Sequence, residues 1–242
     1  SISLSSEGRF TSALVALLIA CVCDGMDGRV ARLLNASSKL GAELDSLADF
    51  VNFGVAPAMF MYFWLTGGPN HIGCPTVMVR AVLACSLFYA MCDCFRLARF
   101  NTMLEQEPLP YWKHFFTGVP APGGCWMVLT PYILLHSLKV QERWPQVYDF
   151  VSHPYFGMAM LLFVGVLMAS RIPTISLKAI RVKKSSQMPV IALGLFIIGC
   201  LFFNLWLTVG IIGAIYILTV PLAALMFLKA KSNYESNKSV KE

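Results

Sequence analysis

Residues 10–33 read FTSALVALLIACVCDGMDGRVARL: an uncharged run followed by Asp24, Asp27, Arg29 and Arg32. The run is apolar enough to enter a membrane, yet it ends in two carboxylates. A charged side chain at membrane depth costs at least about 3 kcal/mol, so it faces a partner, a cavity or an ion. The next apolar stretch, residues 41–66, repeats the theme from its opposite end, because Asp45 and Asp49 stand near its start. Two apolar segments whose acids meet across a short connection set the reading of the whole chain.

The composition agrees with a membrane reading. Of 242 residues 57% are hydrophobic and 13% charged, with a mean hydropathy of +0.66. A soluble domain is nearer a quarter charged. A disordered chain is excluded, and so is a disulfide scaffold, since the eight cysteines lie mostly inside apolar runs. Hydrophobic periodicity and length predict an all-α, polytopic transmembrane bundle with about seven spans, at 10–33, 41–66, 76–101, 118–136, 154–170, 188–205 and 208–229. The chain reads as a single membrane domain over 1–242, with the motif helices in 10–66. An interfacial stretch is expected at 108–118, and a polar, frayed tail at about 230–242.

The net charge of +6 does not point to nucleic acid. If the segment after the first span is cytoplasmic, 15 of the 19 basic residues fall on that side, and only Arg9, Arg80, Lys139 and Arg143 fall opposite. That is the positive-inside pattern of an integral membrane protein, with some attraction to anionic membrane lipids.

Asp24 and Asp27 are i,i+3 and share one helical face; Asp45 and Asp49 are i,i+4 and share another. On antiparallel neighbours these faces can meet near the cytoplasmic surface. Converging carboxylates repel unless cations sit between them, and hard oxygen donors on rigid helices suit Mg²⁺ or Mn²⁺, with four able to hold two ions. Gly28 and Ala31 remove bulk beside the acids, and Arg32 can pair with phosphate oxygens. The competing reading is a set of helix-end acids paired with Arg29, Arg32 and Lys39. Cys21, Cys23, Cys92 and Cys94 read as packing, and Gly194, Gly199, Gly210 and Gly213 as positions where helices approach closely.

The string Asp24-x2-Asp27-Gly28-x2-Ala31-Arg32-x8-Gly41-x3-Asp45-x3-Asp49 resembles the signature of the CDP-alcohol phosphotransferases at every fixed position. The resemblance implies a helical membrane bundle, two divalent ions, and transfer of a phosphatidyl group from a CDP-linked lipid to an alcohol with release of CMP. Three further strings look like the membrane-embedded phosphatidylserine synthases of that family. They are Glu43–Asp49 running into Asn52–Ala58, Arg96–Asn101, and Phe116–Pro122. The implied substrates are CDP-diacylglycerol and L-serine. The resemblance is strong from Glu7 to Pro122 and beyond that is only a pattern of spans.

The same resemblance implies residue roles. Asp24 and Asp45 would bridge both ions, Asp27 would complete the first shell and Asp49 the second, and Asp49 would also be the general base. Gly28, Ala31, Arg32, Ser38 and Gly41 would line the nucleotide. Arg96 and Arg99, i,i+3 at the end of the third span, would read the serine carboxylate or lipid phosphate, or serve only as positive-inside anchors. Further implications are a helix ahead of the motif helix, a homodimer, and a bacterial or archaeal cytoplasmic membrane with the site facing the cytoplasm. One departure is Asp93, where relatives carry a small or apolar residue; it extends the polar site or pairs with Arg96, and the pairing is the favoured reading. Asn52 is a milder departure, since relatives often carry Ser there. The alternatives are another acceptor of the same superfamily (glycerol phosphate, inositol phosphate or choline) or a divalent-cation transporter, which would spread its acids through the membrane depth.

Overall fold

The computed structural model describes residues 1–6, 8–33, 38–67, 75–103, 115–170, 172–175 and 187–239. A short α1 (Ile2–Ser6) leads into α2 (Phe10–Leu33). Next come α3 (Lys39–Asp49), a π-helical segment (Phe50–Val55) and α4 (Ala56–Gly67), which run on as one continuous rod. The long α5 (Thr76–Met103) is followed by α6 (Ala121–Ser137), the short α7 (Val140–Arg143) and α8 (Pro145–Ser152), and α9 (Pro154–Ala169). Last come α10 (Gln187–Phe203) and α11 (Leu205–Ser239). Two three-residue strands, β1 (Phe115–Thr117) and β2 (Pro173–Ile175), form an antiparallel ladder. Otherwise the described residues form an all-α bundle.

The predicted spans fall on α2, α3–α4, α5, α6, α9, α10 and α11, within a few residues for all but the last, which runs on to Ser239. By length and apolarity the described helices that can cross a membrane are Leu40–Gly67, Thr76–Thr102 and Leu205–Phe227, with α8 and α9 a fourth if that pair, bent by 55°, counts as one. Among the described residues α2 contributes a shorter apolar stretch, Phe10–Met26. Many large apolar side chains are left uncovered by any other helix, Phe202 at 89% exposure and Phe203 at 95% among them. Such a surface belongs in hydrocarbon, and the chain is a membrane protein.

The tail departs from expectation, because α11 continues as helix to Ser239. Neither glycine nor proline interrupts it after Pro221, and both are the strongest helix breakers. Of the interfacial stretch, residues 108–114 lie outside the described residues and Phe115–Thr117 is β1. Asn204 separates α10 from α11, and its Oδ1 accepts from Leu207 N at 3.1 Å and so caps α11. Gly210 and Gly213 do let α11 approach α6, meeting Leu134 and Thr130, but Gly194 and Gly199 on α10 face open space.

Helical periodicity decides what points inward. On α2 the buried stripe is Phe10, Ala13, Leu14 and Leu17; half-buried Cys21 and Asp24 continue it at i+4 and i+3. On α5 it is Val82, Ser86, Tyr89, Asp93 and Leu97. At the end of the bundle away from the acids, Phe10, Phe60, Trp64 and Tyr132 pack edge to face, with Tyr132 5.1 Å from Phe60 and 5.2 Å from Trp64 between ring centroids. Such pairs add about 0.5–1.5 kcal/mol beyond the area they bury.

Candidate active site

Ser38 opens α3 as its N-cap, its Oγ accepting from Gly41 N at 3.0 Å. A Cβ on Gly41 would come within 3.1 Å of that oxygen. Both residues expected at the nucleotide therefore have a local task in starting the motif helix. Asp45 then lies exposed on α3, and Asp49, half-buried, ends it.

The π-helical segment follows directly, and the sequence explains it. Pro57 has no N–H to give to Phe53 O four residues back, and Ala56 N reaches back five residues to Val51 O. Tyr89, fully buried on α5, donates its hydroxyl to Phe53 O at 3.0 Å. The wide turn is thereby held by a side chain from another helix, and it sets how the Asp45–Asp49 face is rotated relative to α4.

The carboxyl groups of Asp24 and Asp49 lie within hydrogen-bonding reach of each other, and Asp45 and Arg96 are close enough to act on Asp49 electrostatically. Acids from α2 and α3 thus meet beside a cation from α5, as the spacing predicts. Asp27, Gly28, Ala31 and Arg32 lie on α2, but their side chains are outside the described residues. Two carboxyls in contact need a shared proton or a cation, and this all-oxygen donor set fits a hard divalent ion. Among the described residues no three His, Cys, Asp or Glu side chains already stand in ligating geometry.

The two arginines have different surroundings. Arg99 Nη1 donates to Ala169 O at 2.8 Å, and Nη2 to Ser170 O at 2.8 Å and Met168 O at 3.3 Å. These carbonyls close α9, where a helix leaves acceptors unsatisfied and welcomes positive charge. Arg99, expected at serine or phosphate or as an anchor, is placed by the structure at the end of α9, which its guanidinium caps. Gly118 makes the arrangement possible. It has φ +80°, and a Cβ there would lie 2.8 Å from Met168 O and 3.1 Å from Arg99 Nη2. Its N–H donates to Ile172 O, and its carbonyl accepts from the buried Thr174 hydroxyl at 2.8 Å. The Arg96–Asn101 and Phe116–Pro122 strings are thus partners in one joint.

Arg96 remains at the site. Half-buried, it lies 6.0 Å from the Phe100 ring centroid, and Asp93, Asp49 and Tyr216 surround it electrostatically. Sequence reading missed three contributors: Tyr89, Tyr216, and Asn101, whose Nδ2 donates to Ser46 Oγ at 3.1 Å and ties α5 to the turn between Asp45 and Asp49. Pro57 four residues after Phe53 was the available signal for the first. Cys21, Cys23, Cys92 and Cys94 are free thiols.

A family model described as CDP-alcohol phosphatidyltransferase matches residues 1–168. The chain belongs to that family. The match runs past Pro122 and through most of α9, farther than the motif strings reach. CDP-alcohol phosphatidyltransferases generally depend on divalent metal ions. Three similar proteins are each named CDP-diacylglycerol--serine O-phosphatidyltransferase. The Mycobacterium bovis protein is 39% identical over 171 residues, covering 69% of this chain and 54% of the relative. The Helicobacter pylori protein is 33% identical over 172 residues, covering 71% and 64%. The Saccharomyces cerevisiae protein is 40% identical over 116 residues, covering 47% and 38%. The chain spans about half the length of the mycobacterial relatives it matches.

Proposed function

We propose that the chain transfers the phosphatidyl group of CDP-diacylglycerol to the hydroxyl of L-serine, giving phosphatidylserine and CMP. The observation that carries this reading is the meeting of Asp24 and Asp49, from two antiparallel helices, beside Arg96. It is supported by the family membership and by the names of the bacterial and yeast relatives.

Asp24, Asp27, Asp45 and Asp49 would hold two divalent ions, which when bound neutralise phosphate charge and lower the cost of the leaving group. Asp49 accepts the proton of the serine hydroxyl. The serine oxygen forms a bond to the phosphorus of the phosphatidyl group, the bond from that phosphorus to the oxygen of CMP breaks, and CMP leaves with the electron pair. Gly28, Ala31, Arg32, Ser38 and Gly41 line the nucleotide, and the small residues let it approach the backbone. Arg96 supplies a charged, planar donor for the serine carboxylate. The distribution of basic residues supports a site facing the cytoplasm, and the likeness to the family supports a homodimer. The acids cluster at one end of the bundle, which disfavours an ion pathway through it.

The test is CMP release by purified protein in detergent with CDP-diacylglycerol and Mn²⁺ or Mg²⁺. Serine, glycerol 3-phosphate, inositol, inositol phosphate and choline are offered in parallel. Serine-dependent release that chelator abolishes is the expected result. Release with a different alcohol overturns the acceptor and keeps the metal chemistry.

A further inference from the structure

Asp93 is the most isolated polar group in the described bundle. It is 0% exposed, it lies on the inward stripe of α5, and neither of its carboxyl oxygens has a hydrogen-bond partner among the described residues. Its expected pairing with Arg96 is electrostatic only and not a hydrogen bond. A Cβ on Gly54 would come within 2.7 Å of Asp93 Oδ2, so glycine in the π-helical segment makes the niche that admits this carboxyl. Buried polar groups are almost always satisfied, and an orphan needs a reason. A second such oxygen belongs to another helix. Tyr216 Oη, on α11, is buried without a partner among the described residues, and its ring lies over Gly123, where a Cβ would collide with it. Arg96 is close enough to act electrostatically on both, and on Asp49. An anion and a hydroxyl that both lack hydrogen-bond partners among the described residues, with one cation in electrostatic reach of each, match an α-amino acid, which carries an ammonium and a carboxylate on one carbon.

We propose that Asp93, Arg96 and Tyr216 form the seat for the acceptor's amino-acid head, with Asp93 taking the ammonium and Arg96 and Tyr216 the carboxylate. This rests on the serine reading above and names the residues that select serine from other alcohols. Residues three apart on a helix have Cβ atoms about 5–6 Å apart, a span that the two charges of one amino acid can bridge between Asp93 and Arg96. Because Arg96 is also in electrostatic reach of Asp49, an acceptor held there by its head directs its side-chain hydroxyl toward the proposed base. Tyr216 comes from α11, beyond the residues that the family model matches, so part of the acceptor pocket lies outside the family core.

The test uses the full chain in detergent and three acceptors: L-serine, 3-hydroxypropionate, which lacks the ammonium, and ethanolamine, which lacks the carboxylate. Wild-type protein should favour L-serine over 3-hydroxypropionate in kcat/KM by about tenfold or more, the worth of one charged hydrogen bond. Asp93→Asn should collapse that ratio toward one through the KM for serine, with the KM for CDP-diacylglycerol unchanged. Tyr216→Phe should raise the KM for both carboxylate-bearing acceptors and leave ethanolamine unaffected. If Asp93→Asn lowers kcat/KM for serine and 3-hydroxypropionate by the same factor, Asp93 does not read the ammonium and the proposal fails. Should Asp93→Asn not fold, Asp93→Glu retains the charge and should keep the preference for serine; equal use of both acceptors by that variant also overturns the seat. Wild-type protein that uses only an alcohol without an amino-acid head overturns the serine reading and this seat together. A serine-using wild type whose preference survives Asp93→Asn overturns the seat alone.

Discussion

At one end of the bundle Phe10, Phe60, Trp64 and Tyr132 interlock with ring centroids 5.1–5.7 Å apart along the chain of contacts. At the other, two carboxyls lie within hydrogen-bonding reach, and Asp93 and Tyr216 carry buried oxygens without partners among the described residues. α2 and the α3–α4 rod contribute to both ends, while α6 supplies Tyr132 to the first and α5 and α11 supply Asp93 and Tyr216 to the second. The aromatic end is closed and satisfied, as interiors are when packing decides stability. The acidic end keeps groups whose partners must come from elsewhere, which is what a binding site requires. A membrane bundle can keep such an end because the other end supplies the close contact that holds the helices together.

Substitutions at the two ends should therefore fail in different ways. The largest effect is expected from Asp49→Asn, which removes the proposed base while keeping the shape. CMP release should fall about 100- to 10,000-fold, with binding of CDP-diacylglycerol still measurable; full activity sinks the assignment of Asp49 as base. Phe60→Ala should instead cost about 3–5 kcal/mol of stability, read as a lower unfolding midpoint in detergent. The folded fraction should keep its kcat, and a loss of kcat without a loss of stability would erase the distinction between the ends.

The arginine pair sharpens the same contrast within one helix turn. Arg99→Lys breaks a three-carbonyl fork and should cost about 2–3 kcal/mol of stability, with little change in the KM for serine. Arg96→Lys should leave the unfolding midpoint in place and raise the KM for serine about tenfold. Reversed outcomes would exchange the two roles. The smallest effect is expected from Tyr89→Phe, which leaves Phe53 O without its donor at about 1–2 kcal/mol. Because that bond holds the turn behind Asp49, kcat should fall as well; a change in stability alone would make the bond merely structural.

Much of the fold was legible because its signals are local. Apolar run length marks a span, and a helix stands at each expected stretch, although among the described residues only three, or four with the bent pair, are long and apolar enough to cross a membrane. The i,i+3 and i,i+4 spacing of Asp24 with Asp27 and Asp45 with Asp49 puts each pair on one face whatever the rest of the chain does. That short-range geometry brought Asp24 and Asp49 together as anticipated. The glycines of the last helices were legible only in part, since a glycine allows a close approach without saying whether a neighbour arrives.

The sequence by itself therefore determined a membrane bundle with carboxylates at one end, because helix period and hydrophobic run length depend on residues a few positions apart. Only the tertiary structure separated Arg96 from Arg99, since two arginines three residues apart differ by what packs against each. For Arg99 that is the end of α9, some seventy positions away in the chain. It alone also brought Gly54 against Asp93, gave Tyr89 the carbonyl that Pro57 leaves open, and carried Tyr216 in on the final helix. Each of these is a long-range contact, and no local period in the sequence encodes which distant side chain will fill a given gap.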